Sequence, residues 1–126
     1  MKKNIVKDKS FVFAIEIVGV CKKLTEQKEF VLSKQLLRSG TAVGALIREA
    51  EHSESKKDFI HKLSISLKEA NETEYWLELL AETAYLNESE FESLKLKIGE
   101  LNRLLISIIK TSKENLYDNW QLDNGQ

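Results

Sequence analysis

A chain of 126 residues with 42% hydrophobic content is one ordinary domain, long enough to bury a core without disulfides or structural metal. Its 19 basic and 20 acidic side chains leave a formal net charge of -1, which excludes a global field that would draw in nucleic acid or anionic lipid. The single cysteine, Cys21, excludes an internal disulfide and favours a reducing compartment; the absence of proline and the five glycines point to helices joined by tight turns.

Lys2 and Lys3 precede an apolar run from Phe11 to Cys21, but Glu16 inside that run and Lys7, Asp8 and Lys9 before it argue against a signal peptide. The run is about half the length that a bilayer span needs. The reading is an amphipathic helix in a cytoplasmic protein with no membrane role.

Helical periodicity predicts four segments in chain order. The first starts near Ser10, ends around Lys28, and carries Phe11, Ala14, Ile15, Val18 and Cys21 on its core face. The second starts near Ser33, taken as its N-cap, and aligns Leu36, Ser39, Gly40, Val43, Ile47 and Ala50. The third opens at Ser55, with Asp58 in the capping-box position, and steps through Ile60, Leu63, Leu67, Ala70, Glu74, Leu77, Ala81 and Ala84. The fourth follows Asn87 through Phe91, Leu94, Ile98, Leu101, Leu105 and Ile108. Short connections make sequential helices antiparallel neighbours, so the expected fold is all-α, an up-down-up-down four-helix bundle. It would occupy residues 1–117 as a single domain, with residues 118–126 a frayed polar tail.

Two helices are apolar on more than one side. The first also carries Phe13, Ile17, Val20 and Leu24, and the third carries Ile65, Trp76, Leu79 and Leu80 opposite its seam. These eight residues are the expected homo-oligomer interface, since a monomer would leave them wet; a wide core is the alternative. Gly40 and Gly44, one turn apart, each weaken the second helix by about 1 kcal/mol relative to alanine, a loss that close approach of a neighbouring helix would offset.

Glu74 stands in an apolar seam, where a lone carboxylate is expensive. Arg38 and Arg48 are its candidate partners, with Glu69 and Glu72 competing for them, in an ion-pair network that sets helix register. No nucleophile or second titrating group accompanies it, so no catalytic residue is expected. Glu49 with His52 and Asp58 with His61 have carboxylate-x-x-His spacing, but the histidines fall off the core stripes. No metal, cofactor or small-molecule substrate is expected.

The segment from Gln35 to Leu80 resembles the bacterial four-helix bundle proteins, also called ribosomal RNA intervening-sequence proteins. The residues that carry the likeness are Arg38-Ser39-Gly40, Gly44-Ala45-x-Ile47, Ser55-x-x-Asp58-Phe59, Leu67-x-Glu69-Ala70 and Glu72-Thr73-Glu74-Tyr75-Trp76-Leu77. The resemblance implies a small antiparallel bundle that assembles as a homopentamer, as do the similar accessory proteins of diversity-generating retroelements. Those accessory proteins are basic and associate with reverse transcriptase and nucleic acid, whereas this chain has a pI near 6.2.

Two function classes follow: a non-enzymatic oligomer that binds RNA or a nucleoprotein partner, and a protein-binding or structural oligomer with no nucleic-acid role. The up-down topology brings the start of the first helix, the second turn and the end of the fourth helix to one pole. That pole gathers Lys2, Lys3, Lys7, Lys9, Lys56, Lys57, Lys110 and Lys113 as candidate phosphate contacts, diluted by Asp8, Glu51, Glu54, Asp58 and Glu114.

Overall fold

Each helix begins where a side chain can take up a free backbone N–H. In the computed structural model, which describes residues 4–124, α1 (Ile5–Glu26) opens on Asn4, whose Oδ1 accepts from Lys7 N at 3.1 Å, upstream of the start expected at Ser10. α2 (Val31–Ala50) is capped by Glu29, whose Oε1 accepts from Leu32 N at 2.5 Å. Ser33, expected in that role, is buried inside the helix. α3 (Lys56–Glu82) opens as expected on Ser55, whose Oγ accepts from Asp58 N at 3.1 Å. At the head of α4 (Glu88–Asn124) Asn87 and Glu90 exchange hydrogen bonds, Oδ1 accepting from Glu90 N at 2.8 Å and Oε1 from Asn87 N at 3.1 Å.

Two of the turns use left-handed backbone without glycine. Lys28 (φ 63°) lets Glu29 N reach Leu24 O at 2.9 Å, and Ala84 (φ 67°) lets Tyr85 N reach Leu80 O at 2.9 Å, both helix-closing bonds of the Schellman type. Ala84, expected to continue the α3 seam, therefore ends the helix and is exposed.

The helices pack α1 on α2, α2 on α3, α3 on α4 and α4 back on α1, an up-down-up-down bundle in which the backbones of the diagonal pair α2 and α4 do not approach closely. One core runs through it, with Ile17, Leu36, Val43, Leu77, Leu80, Ile98 and Leu105 among its fully buried side chains. α4 is the outlier in length, at 37 residues against 20 to 27 for the others. At 1.5 Å per residue it runs about 55 Å, beyond the ends of its neighbours. The residues from 118 that were expected to fray are helical as far as Asn124.

α1 lies against α2 over its glycines. A Cβ at Gly40 would fall 2.9 Å from Ile17 Cγ2, and one at Gly44 would fall 3.1 Å from Ser10 Oγ. Further along, Ser33 Oγ donates to Cys21 O at 3.3 Å and Cys21 Sγ donates to Ser33 O at 3.4 Å. The offset anticipated for the two glycines is thus met by α1. Because Ile17 is fully enclosed, it cannot yield, so Gly40→Ala should lower stability by about 1 kcal/mol even after the gain in helix propensity. Gly44→Ala meets a small hydroxyl and should stay within about 0.5 kcal/mol of wild type. Urea unfolding of the two variants checks the contrast.

Candidate functional site

The seating of α1 on Gly40 fixes which of its two apolar sides faces inward. Phe13, Ile17 and Leu24 are buried in the chain's own core, and Leu80 of α3 joins them. They are therefore not the outward interface expected of them. Val20, Ile65, Trp76 and Leu79 are half-buried, with Val20 and Trp76 packed against the core edge. The side of α1 read as core instead faces out: Phe11, Ile15 and Val18 are 51%, 57% and 37% exposed, Ala14 is half-buried, and of that set Cys21 alone is interior. Burial pushes the Cys21 thiol up from its ordinary value, so it is a poor nucleophile.

This outward stripe continues onto α2, where Leu37 is 39% exposed and Thr41 and Ala45 follow it one turn apart. Near the stripe's end, Arg48 Cζ sits 4.8 Å above the Phe11 ring. Phe11, Ala14, Thr41, Gly44, Ala45 and Arg48 line a cavity of about 270 Å³ open to solvent.

The ion-pair network forms on the outside of the α2–α3 seam. Arg38 Nη1 meets Glu69 Oε2 at 2.9 Å and Arg38 Nη2 meets Glu72, which also accepts from the Trp76 indole Nε1 at 2.9 Å. The Glu72 hydrogen bond, then that of Glu69, raises the Arg38 pKa, so the guanidinium is always charged. Two members expected in this network are elsewhere. Glu74 is half-buried at the α3–α4 surface beside Lys95 and Arg103, in no ion pair among the described residues, and Arg48 stacks on Phe11 instead. The buried seam position belongs to Thr73, whose Oγ1 lies 2.8 Å from Glu69 O and 2.9 Å from Ser39 Oγ. A carbonyl can only accept, so Thr73 donates to it and Ser39 donates to Thr73. Ser66 Oγ adds a bond to Val43 O at 2.8 Å.

Of the eight candidate phosphate-binding lysines, Lys2 and Lys3 lie outside the described residues. Lys7 is held by Glu51 at 3.0 Å and Lys9 by Glu100 at 2.6 Å. Lys56 and Lys57 at the head of α3, and Lys110 and Lys113 on the antiparallel α4, are exposed and in no ion pair among the described residues. His52 and His61 are exposed, and among the described residues no three His, Cys, Asp or Glu side chains gather to hold a metal ion. No helix among the described residues is long and apolar enough to cross a membrane.

The model of the 23S rRNA-intervening sequence protein family matches residues 2–107. A crystal structure of a protein of unknown function from the S23 ribosomal protein family of Bacteroides thetaiotaomicron is similar at 62% identity and a TM-score of 0.82, covering 83% of this chain and 98% of that one. No curated protein matches.

The surface pairs set the response to acid. Glu72 is held below the usual carboxylate range by the Trp76 N–H first and Arg38 after it, Glu90 by Lys23 first and the Asn87 N–H after it, and Glu100 by Lys9. A depressed folded-state pKa gives stability that is complete above the unfolded value, about 4.3, and is lost as pH falls through the folded value. The melting temperature should hold from about pH 7 to about pH 5 and drop below about pH 4. Glu72→Gln should make that drop shallower, as thermal scans across pH will show.

Proposed function

This chain belongs to the 23S rRNA-intervening sequence protein family, and from that premise we propose that it is a non-enzymatic cytoplasmic assembly module. It self-associates side by side into a closed homo-oligomer, five copies being the number that the family resemblance implies. The observation that carries this reading is the outward apolar stripe of Phe11, Ile15, Val18 and Leu37, which a soluble monomer has no use for. The non-enzymatic part is supported by the ionisable side chains, whose ion pairs are at the surface and join neighbouring helices rather than converging in a cleft.

Light scattering should give a multiple of 14.5 kDa at micromolar protein, and Ile15→Glu should yield a folded monomer, because Ile15 lies outside the core. A wild-type chain that runs as a monomer refutes the assembly.

Lys56, Lys57, Lys110 and Lys113, in no ion pair among the described residues, favour a second activity, binding of the RNA phosphate backbone by the assembled form. In a ring, the weak patch of each subunit would act together, and avidity would supply the affinity that one patch lacks. The family's name, 23S rRNA-intervening sequence protein, points the same way. With no aromatic platform among these lysines, binding should be sequence-tolerant and fall steeply with salt. Charge reversal at Lys56 and Lys57 should weaken it for all RNAs alike in filter-binding titrations. No affinity for structured or single-stranded RNA at about 50 mM salt would leave the protein-scaffold reading alone.

A further inference from the structure

The core stripe of α4 does not stop where the bundle stops. Leu94, Ile98, Leu101, Leu105 and Ile109 are buried, and the same spacing continues through Ser112 and the half-buried Leu116 to Trp120, which is 55% exposed. Tyr117, 60% exposed, flanks that line, and Asp123 falls on the same face one turn later. These residues lie beyond the segment matched by the family model, which ends at residue 107. The resulting arm has an aromatic face and three carboxylates, Glu114, Asp118 and Asp123, with no lysine or arginine from residue 114 to residue 124.

We propose that the α4 arm of one copy docks in the α1–α2 groove of a neighbouring copy, placing Trp120 in the cavity beside Phe11 and Asp123 against Arg48. This rests on the homo-oligomer reading and specifies one of its contacts. The groove's volume, about 270 Å³, is below the roughly 300 Å³ at which small-molecule pockets begin and suits one large side chain. Its rim carries a cation, Arg48, in no ion pair among the described residues and already over an aromatic ring; it lacks the carboxylate that the arm supplies. An arm cannot fill its own groove, because the backbones of α4 and α2 do not approach across the bundle and the arm continues the straight run of α4 past it. Pairing of arms with one another would bring like charges together, whereas arm and groove are complementary. The contact joins two different surfaces, the kind that generates a ring where its rotation closes.

The test uses full-length chains. Trp120 is outside the core, so Trp120→Ala should keep the wild-type circular dichroism while raising the concentration at which the oligomer dissociates about tenfold. Arg48→Glu should do the same, and Arg48→Glu combined with Asp123→Arg should restore association. A chain carrying Gln121→Cys, mixed with a differently tagged chain carrying Ala45→Cys, should give a 45–121 link between the two tags under a short thiol cross-linker. An oligomer that is unaffected by Trp120→Ala and gives no such link overturns the arm contact while sparing the assembly. A wild-type chain that is monomeric overturns both.

Discussion

The approach of α1 to α2 over Gly40 and Gly44 is the constraint on which the rest of the structure depends. With Ile17 Cγ2 already 2.9 Å from where a Gly40 Cβ would stand, a side chain at Gly40 would push α1 away from this spacing. Ser10 opposite Gly44 and Cys21 opposite Ser33 repeat the match of small with small along the contact. Since α1 carries two apolar stripes, hydrophobicity alone would let either face inward; the shape of α2 favours one. Once Ile17 points inward, Phe13 and Leu24 follow into the core, and Phe11, Ile15 and Val18 must face out. The surface proposed for assembly thus follows from the seating of Ile17 over Gly40.

The same logic explains what could be read in the chain and what could not. Helix order, the antiparallel topology, the α2 stripe and the buried run of α4 were legible because each of those helices has one dominant apolar side. The phase of α1 was not, as two overlapping stripes satisfy the same period. In α3 the expected seam followed leucines and so passed through Leu67 and Glu74, while the actual one runs through Ser66 and Thr73. Hydroxyls that return a hydrogen bond to a backbone carbonyl lose little on burial, but hydropathy counts them as surface. Ala84 looked like a further seam residue and is a left-handed terminator, which side-chain chemistry does not announce.

The site was legible in part for related reasons. Of the expected network, Arg38 pairs with Glu69 and Glu72, the two glutamates named as competitors of Glu74, and Gly40 and Gly44 serve close packing. Glu74 lies off the seam because Thr73, one residue earlier, fills that turn of an α3 face otherwise set by Ile60, Leu63, Ala70 and Leu77, and Arg48 is drawn to the exposed Phe11 ring. Lysines on adjacent turns could be assigned to a common pole from topology, but which of them would be neutralised depended on Glu51 and Glu100 coming within reach across helices.

Closure of the bundle shows where its apolar surface is kept. α1 and α4 touch least of the four neighbouring pairs, and their seam is bridged by Lys9 with Glu100, Glu16 with Lys97 and Lys23 with Glu90. The α1 members recur every seven residues, the repeat that keeps one side of a helix against a partner. Exposed pairs of this kind add little stability each, so they act here chiefly to choose the register and neighbour of α1. Closing that seam with charge leaves the remaining apolar stripe of α1 unused by the fold. A chain that needed only to fold could have turned Phe11, Ile15 and Val18 into polar residues without disturbing its core. Phe11, Ile15 and Val18, beside a groove whose Arg48 is in no ion pair among the described residues, are the surface that the proposed contact with another copy would use.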